Sequence, residues 1–239
     1  MGIILKSYDN LFYREMSKSS NSSARFLVPL LMQKLEFKSV IDIGCGDGQF
    51  VTEFINQGIT EIKGIEGNWI LDSLDITAAP WLELSDLTKE LNLVSRFDLA
   101  ICLEVAEHLE EQYSDTLIAS LAKASDLIFF SAAIPGQGGT NHVNLKYPDY
   151  WARKFAEHNY YLEWDPRESL WGNKRVAPWY QQNCLLYKKS ESTNRNFLIP
   201  ANMRHPEIFP ELQSNYFKFR RLLFKVSQKV KNLIFGKLN

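Results

Sequence analysis

The feature that most constrains the fold of this chain is the stretch from Val40 to Phe50, where an apolar run opens into a turn with glycine at every second position. A short apolar run is typical of a buried parallel strand. Gly44, Gly46 and Gly48 allow the backbone to turn sharply and to approach a ligand with no Cβ in the way. A helical pattern follows, so the turn leads to a helix N-terminus, whose free N–H groups favour anionic ligand atoms. The stretch predicts a nucleotide-type site in a doubly wound α/β fold.

The order of the glycines excludes two common phosphate-binding loops. A dinucleotide site needs glycine at the first, third and sixth positions of the turn, but the sixth position counted from Gly44 is Gln49. A P-loop ends in Gly-Lys-Ser or Gly-Lys-Thr, and this turn contains no lysine. Asp42, just before the turn, would repel a pyrophosphate and suits a ligand that carries an ammonium group.

Three further segments follow at a spacing that suits βαβ units. A second strand, residues 61–65, ends in Glu66, which lies 22 residues after Gly44. A carboxylate at that position can accept hydrogen bonds from both hydroxyls of a ribose. Residues 81–87 give a third strand and its exit, and residues 97–109 give a fourth strand with the helix that it feeds. Strands that alternate with helices indicate a parallel sheet.

In this order, the Asp-x-Gly-x-Gly-x-Gly turn and the segments after it resemble the class I S-adenosylmethionine (SAM) methyltransferases. The resemblance is clear over residues 36–135. It implies a doubly wound, Rossmann-like α/β sheet of seven strands, the last of them antiparallel, and SAM as the cofactor. The turn would hold the amino acid end of SAM, Glu66 its ribose, and Asp86 and the Leu87 amide its adenine. The cofactor contacts predicted in this way are Asp42, Gly44, Cys45, Gly46, Glu66, Asp86, Leu87 and Leu103.

An alternative is a doubly wound domain that no longer binds a cofactor. Glu66 and Asp86 would then be ordinary solvated acids at strand ends. Every predicted ligand-facing position carries a residue type that can bind SAM, which favours the cofactor-binding interpretation.

The glycine-rich loop after the fifth predicted strand, residues 131–144, carries a candidate catalytic histidine. In open α/β sheets the carboxyl edge of the strands is where ligands bind. His142, with His108 behind it, is the candidate base, because a neutral imidazole can take a proton from an attacking hydroxyl or amine. The alternative is that His142 only holds the loop in place through hydrogen bonds.

A Glu-x-x-Glu-His cluster at the exit of the fourth strand gives a candidate metal site. Glu104, Glu107 and His108 would share a helix face if a helix began at once. With His142 they resemble the metal site of the Mg²⁺-dependent small-RNA 2′-O-methyltransferases, and the first three resemble the ubiquinone O-methyltransferases. Mg²⁺ or Mn²⁺ would polarise a hydroxyl acceptor there. The alternative is that these side chains line the floor of the site or cap the helix.

The N-terminal residues predict two helices separated by the serine-rich stretch 17–23, with Ser23 as the cap of the second. In many members of the methyltransferase family that this sequence resembles, such helices cover the SAM site as a lid. We therefore expect a lid over residues 1–36, a methyltransferase core with its acceptor-side elements over 37–190, and a linker with a C-terminal helix over 191–239.

The C-terminal residues 212–235 predict a basic amphipathic helix. Apolar residues recur there at alternating spacings of four and three, and from Leu212 onward there are seven Lys and Arg and no acid. A helix lying on anionic lipid, a heptad seam for a dimer, and a helix packed on the protein's own body are the three interpretations.

Composition limits the other partners. The chain has 27 basic and 28 acidic residues, and the excess of acid falls before Leu212. An acidic body argues against a broad nucleic-acid surface. Three cysteines with no metal-ligand spacing, no signal peptide and no apolar run of 18 residues predict a cytoplasmic protein, with contact to the inner face of the membrane through 212–235 as an open alternative.

The sequence thus predicts a SAM-dependent methyltransferase that methylates a sugar hydroxyl of a surface glycan, a glycolipid or a related metabolite. The loop after the fifth strand and the Tyr-Pro-x-Tyr-Trp that follows it resemble small bacterial methyltransferases of glycan and secondary-metabolite pathways. One alternative is a metal-assisted methyltransferase acting on an RNA 2′-hydroxyl or a quinone-type phenol. Another is a non-catalytic SAM-binding or membrane-recruited scaffold protein.

Overall fold

The computed structural model describes residues 10–68, 70, 79–191 and 198–209, with the side chains described from residue 18 onward. The backbone forms two compact units, 1–203 and 204–239. In the second unit, the guanidinium of Arg204 lies 5.0 Å from the ring centroid of Phe209, and the backbone N–H of Phe209 donates to the carbonyl of His205. The predicted amphipathic helix 212–235 lies outside the described residues.

The first unit is built on a seven-stranded sheet in the order β3-β2-β1-β4-β5-β7-β6. The strands are β1 Ser39–Ile43, β2 Glu61–Glu66, β3 Leu82–Leu84, β4 Leu99–Leu103, β5 Leu127–Ser131, β6 Tyr160–Trp164 and β7 Leu185–Lys189. The pairs from β3 to β5 are parallel, and β7 is antiparallel to both β5 and β6. This confirms the predicted doubly wound sheet and its antiparallel seventh strand. All residues of β1 and β4 are buried, as expected of central strands covered on both faces.

Among the described residues, six α-helices accompany the sheet. They are α1 Asn10–Lys34, α2 Gln49–Asn56, α3 Ser114–Ala124, α4 Pro148–Glu157, α5 Arg167–Leu170 and α6 Pro178–Asn183. Alternate residues of the strands enter two apolar clusters. Ile41, Ala100 and Phe130 pack with α3 and α4, whereas Val40 and Ile101 pack with α1, α2, α5 and α6. This alternation follows from the two-residue period of a strand.

The structure corrects the predicted break in the N-terminal helix. Helix α1 runs without interruption through the serine-rich stretch. Ser23 is not an N-cap: its hydroxyl donates to the Ser19 carbonyl (2.7 Å) and accepts from the backbone N–H of Ala177 (2.9 Å). The Ser22 hydroxyl donates to the carbonyl of Arg175 (2.8 Å). The hydroxyls that would interrupt an isolated helix are instead satisfied by its own backbone and by a distant loop.

The predicted alternation of strands and helices also fails at two points. Residues 85–98, between β3 and β4, form turns with no helix. After β4 the chain does not enter an α-helix at once. It passes through a short 3₁₀ turn, Ala106–His108, and α3 begins only at Ser114. The shared helix face expected for Glu104, Glu107 and His108 therefore does not exist.

Candidate functional site

The glycine turn is held against the end of β2 by its backbone. The N–H groups of Gly44 and Cys45 both donate to the carbonyl of Ile65, at 2.8 and 3.1 Å. Gly44, Gly46 and Gly48 have φ values of +81°, +54° and +76°. These are left-handed conformations that only glycine adopts at low cost. The turn ends at Gly48, which is the N-cap of α2.

Four glycines in or near the turn differ in what surrounds them. A Cβ on Gly44 would overlap the side chain of Val105, and a Cβ on Gly48 or Gly64 would overlap the indole of Trp81. A Cβ on Gly46 would meet no described atom within 4 Å. As far as the described residues go, open space therefore lies above Gly46, while the neighbouring glycines are closely packed. Trp81 was not among the predicted site residues, and its position directly before β3 gave no sequence signal for this contact.

Glu66 closes the turn from the adjacent strand. One oxygen of its carboxylate accepts from the backbone N–H of Gly46 and the other from that of Gly67, both at 2.7 Å. The side chain is buried, but a carboxylate has about four lone-pair sites, so it can accept further hydroxyls. Asp42 is also buried, and burial, together with the nearby carboxylate of Glu66, raises its pKa. Cys45 is buried as well. Its burial and the carboxylates of Asp42 and Glu66 raise the pKa of its thiol, which is therefore not a reactive thiolate.

Asp86, predicted to meet the adenine, lies just beyond β3. Its carboxylate accepts from the backbone N–H (3.0 Å) and the hydroxyl (2.6 Å) of Thr88, and these bonds lower its pKa. Half of the side chain is exposed, and Lys89 forms an ion pair with it. Asp86 thus stabilises its own turn in the structure. Leu87 and Leu103 are buried at the carboxyl edge of the sheet.

Polar side chains of α1 contact the first residue of α2, directly after the glycine turn, and α6. The side-chain amide of Asn21 donates to Gln49, the first residue of α2, at 2.6 Å. The hydroxyls of Ser20 and Tyr180 lie 3.3 Å apart. The ring of Tyr180 packs edge-on against Phe50 at a centroid distance of 5.6 Å. One polar patch of α1 therefore borders both the glycine turn and the helix before β7.

Glu104 lies at the exit of β4 in an unusual conformation. Its φ is +56°, which is rare for a residue other than glycine and costs on the order of 1 kcal/mol. Its backbone N–H donates to both the carbonyl (3.0 Å) and the hydroxyl (3.1 Å) of Ser131 at the end of β5. These bonds hold the residue in this conformation, in which its carboxyl group contacts that of Glu107.

The carboxylate of Glu104 accepts from two side-chain amides. Gln137 donates to one oxygen and Asn183 to the other, each at 3.0 Å. Gln182 donates to the side-chain carbonyls of Gln137 (2.9 Å) and Asn183 (3.0 Å). Burial raises the pKa of Glu104, and the donated hydrogen bonds act against this rise. We call Glu104, Gln137, Gln182 and Asn183 the amide network.

Of the amide network, only Glu104 was among the predicted site residues, and it was assigned to a metal. The adjacent Gln182 and Asn183 directly before an apolar strand were the available signal for the rest. Burying two side-chain amides costs free energy unless each has hydrogen-bond partners.

Glu107, His108 and His142 do come together. One possible ligand atom from each lies within 4.8 Å of the others, and Glu104 is not part of this group. The two imidazole rings meet edge to face at a centroid distance of 5.0 Å. The predicted four-residue metal site is therefore reduced to three residues, because the conformation of Glu104 places its carboxylate in the amide network.

The carboxyl group of Glu107 is fully buried; it contacts the carboxyl group of Glu104, and no other described side chain donates a hydrogen bond to it. Burial raises its pKa, and the negative charge of Glu104 raises it further. Burial lowers the pKa of both histidines, and at His108 the neighbouring His142 adds to this effect. The cluster therefore consists of two neutral imidazoles beside a carboxyl group that gives up its proton reluctantly.

The loop that carries His142 is tied to this cluster by its backbone. The N–H groups of Val143 and Asn144 donate to the carbonyl of Glu107, at 2.8 and 3.1 Å. A Cβ on Gly139 would overlap the ring of His142. The predicted alternative, in which His142 holds the loop in place, therefore has a structural counterpart, since the loop packs tightly around its ring.

With this geometry established, the fold can be compared with known proteins. No family model matches the sequence, and no curated protein matches it. Solved structures do. DesVI of Streptomyces venezuelae has a TM-score of 0.59 at 13% identity, over 77% of this chain and 100% of that one. The sugar N-methyltransferase KedS8 of Streptoalloteichus has a TM-score of 0.57 at 14% identity, over 80% and 96%.

A third structure contains the demethylated cofactor. Magnesium protoporphyrin IX methyltransferase of Synechocystis, solved with bound S-adenosylhomocysteine, has a TM-score of 0.53 at 17% identity, over 77% of this chain and 90% of that one. The chain has the class I SAM-dependent methyltransferase fold. This confirms the fold that the sequence motifs predicted. No helix among the described residues is long and apolar enough to span a membrane.

Proposed function

We propose that this protein is a SAM-dependent methyltransferase that acts on a sugar-containing metabolite or glycan. The observation that carries the proposal is the cradle formed by Glu66 and the glycine turn. It combines a buried carboxylate at the end of β2 with open space above Gly46. A carboxylate at this position is the residue type that accepts hydrogen bonds from the two ribose hydroxyls, and Asp42 suits the ammonium group of the amino acid end.

The chemistry asks two things of the chain. SAM, when bound, supplies a methyl group already activated on a sulfonium. The protein must then orient the acceptor in line with that methyl group and deal with the proton of the nucleophile. Glu104 and the cluster of Glu107, His108 and His142 lie at the same carboxyl edge of the sheet and are the residues available for these tasks.

A sugar acceptor is supported by the sequence pattern after β5 and by the name of one structural neighbour, a sugar N-methyltransferase. Methyl transfer to a hydroxyl was the sequence prediction, and it stays a prediction. The contact of residues 212–235 with a membrane, and dimerisation, also stay predictions.

The first experiment is a calorimetric titration of SAM and S-adenosylhomocysteine into the purified protein. We expect micromolar binding of both, and a loss of about 10- to 100-fold in Glu66→Gln, because hydrogen bonds to a charged group contribute about 1.5–3 kcal/mol. Glu61→Gln, at the exposed start of the same strand, is the matched control and should bind normally. Absence of binding by the wild-type protein would refute the proposal and favour a scaffold role.

A second candidate function, metal-assisted methyl transfer, is favoured by the buried carboxyl group of Glu107 beside His108 and His142. One carboxylate and two imidazoles fit Mn²⁺, Fe²⁺ or Zn²⁺ better than Mg²⁺, which prefers oxygen ligands alone. A metal held by these residues would polarise a hydroxyl acceptor.

Thermal unfolding of chelator-treated protein tests this candidate without relying on activity. A rise in Tm with added Mn²⁺ that is absent in Glu107→Gln would support it. Equal unfolding curves with and without each metal would refute it.

A further inference from the structure

We propose that Glu104 is the catalytic residue that contacts the acceptor, and that the nucleophile it fits is an amine, such as the amino group of an amino sugar. The inference deepens the proposed function and depends on it. It rests on how the amide network orients the carboxylate of Glu104 and on the charge that methyl transfer creates.

The network fixes the direction of its hydrogen bonds. The side-chain carbonyl of Gln137 accepts from Gln182 and from Asn183, so its amino group is left to face Glu104. The carbonyl of Asn183 accepts from Gln182, so its amino group also faces Glu104. Both amides therefore present donors to Glu104, and the matching form of Glu104 is the acceptor-only carboxylate.

The charge of this carboxylate is not neutralised by a basic side chain. Among the described residues, no lysine or arginine forms an ion pair with Glu104. Besides the two amides, the Ser131 hydroxyl and the carboxyl group of Glu107 contact this carboxylate, and neither of them carries a positive charge. Glu104 is only half-buried, so a ligand can reach its exposed edge. An anion held by neutral donors and open to a ligand is suited to a cationic partner.

Glu104 also lies next to the cofactor turn. The following residue, Val105, fills the space against Gly44. The backbone strain at Glu104 is maintained by bonds to Ser131 on the neighbouring strand, so its position is fixed before any ligand arrives. Sparsely populated backbone conformations that the surrounding structure enforces are typical of functional sites.

Methyl transfer to an amine creates the charge that this carboxylate fits. The nitrogen lone pair forms the new N–C bond while the C–S bond breaks, and the bonding pair stays on sulfur to give S-adenosylhomocysteine. The positive charge moves from sulfur to nitrogen, and the ammonium product then loses one proton to water. A preoriented carboxylate at the N–H of the nucleophile stabilises the charge as it develops. Transfer to a hydroxyl needs removal of a proton more than stabilisation of a cation.

The test uses a matched pair of acceptors, a hexosamine and the hexose with a hydroxyl at the same position, each free and nucleotide-linked. Formation of S-adenosylhomocysteine and a mass gain of one methyl group on the acceptor are followed. We expect the amino sugar to be methylated, and Glu104→Gln to lower kcat/KM by about 100-fold with unchanged SAM affinity. Glu104→Asp, which keeps the charge, should retain more activity than Glu104→Gln. Glu110→Gln, an exposed acid in the same segment, is the control.

The outcomes separate this proposal from the proposed function. A wild-type protein that does not bind SAM would refute both. Preferential methylation of the hexose, or full activity of Glu104→Gln in a folded variant, would refute the role of Glu104 and leave the methyltransferase function standing. Binding of SAM without turnover of any of these acceptors would count against the amino sugar assignment.

Discussion

The glycine turn and the amide network lie at the same edge of the sheet but are assembled over very different distances along the chain. The turn and Glu66, which holds it, are 20 residues apart, whereas Glu104 and Asn183 are 79 residues apart. The turn depends on backbone conformations that glycine allows. The network depends on three segments meeting after the whole sheet has formed. The turn can thus be encoded locally, while the residues of the amide network are brought together only by the complete fold.

The largest expected effect is at the glycine turn, where substitutions of Gly44 and Gly46 should separate an effect on stability from an effect on SAM binding. Gly44→Ala would force a side chain with φ +81° into Val105, and we expect a loss of about 2–5 kcal/mol in the free energy of unfolding. Gly46→Ala has φ +54° but open space, so it should lose only about 1–2 kcal/mol of stability while SAM binding fails. Chemical denaturation and calorimetry measure the two effects.

Gly58→Ala is the control for backbone strain alone. Gly58 has φ +95° with open space around it, and it lies after α2, away from the turn. Its substitution should cost about as much stability as Gly46→Ala and leave SAM affinity unchanged. Equal SAM affinity in Gly46→Ala and Gly58→Ala would show that the space above Gly46 does not hold the cofactor.

We expect Glu107→Gln to stabilise the metal-free protein at neutral pH by about 1–3 kcal/mol. Burial and the charge of Glu104 raise the pKa of Glu107, so the folded protein takes up a proton there that the unfolded chain does not hold, and the neutral amide avoids this cost. Denaturant unfolding after chelator treatment measures the change. Ser120→Ala, which removes a buried hydroxyl that accepts from Leu91 (3.0 Å), is a contrasting variant and should destabilise. A destabilised Glu107→Gln would show that the carboxylate is satisfied in solution.

The smallest expected effect tests whether α1 belongs to the cofactor side. Asn21→Ala removes the hydrogen bond to Gln49 next to the turn, and a neutral hydrogen bond contributes about 0.5–1.5 kcal/mol. We expect SAM affinity to fall by a few-fold, with little change in thermal stability. Ser22→Ala removes a bond of the same helix to the carbonyl of Arg175 and should not change SAM affinity. If both variants bind SAM normally, α1 does not contribute to this site.

Predictions from the sequence succeeded where short-range chemistry decides. The positions of β1, β2, β5 and β6 follow from apolar runs bounded by turn residues, and the turn follows from its three glycines. Predictions failed where a distant partner overrides local preference. The serine-rich stretch reads as a helix break, but its hydroxyls find acceptors and donors in residues 175–177, about 150 positions away.

The expected shared helix face of Glu104, Glu107 and His108 was wrong for a similar reason. The spacing of Glu104, Glu107 and His108 suggested one helix face, and this spacing is informative only if a helix is present. Ser131 at the end of β5 holds Glu104 at φ +56°, so the chain turns before the 3₁₀ segment begins. No pattern within residues 104–108 reports that bond.

By itself, the sequence determined the doubly wound fold, the glycine turn and Glu66, the acid that closes it, because strand burial and glycine conformations are properties of neighbouring residues. Only the tertiary structure decided that Glu104 lies outside the cluster of Glu107, His108 and His142, that Gln137 and Asn183 orient its carboxylate, and that Glu107 is fully buried. These arrangements depend on the register in which β4, β5 and β7 pair, and side chains far apart in the chain acquire fixed neighbours only when that pairing is complete.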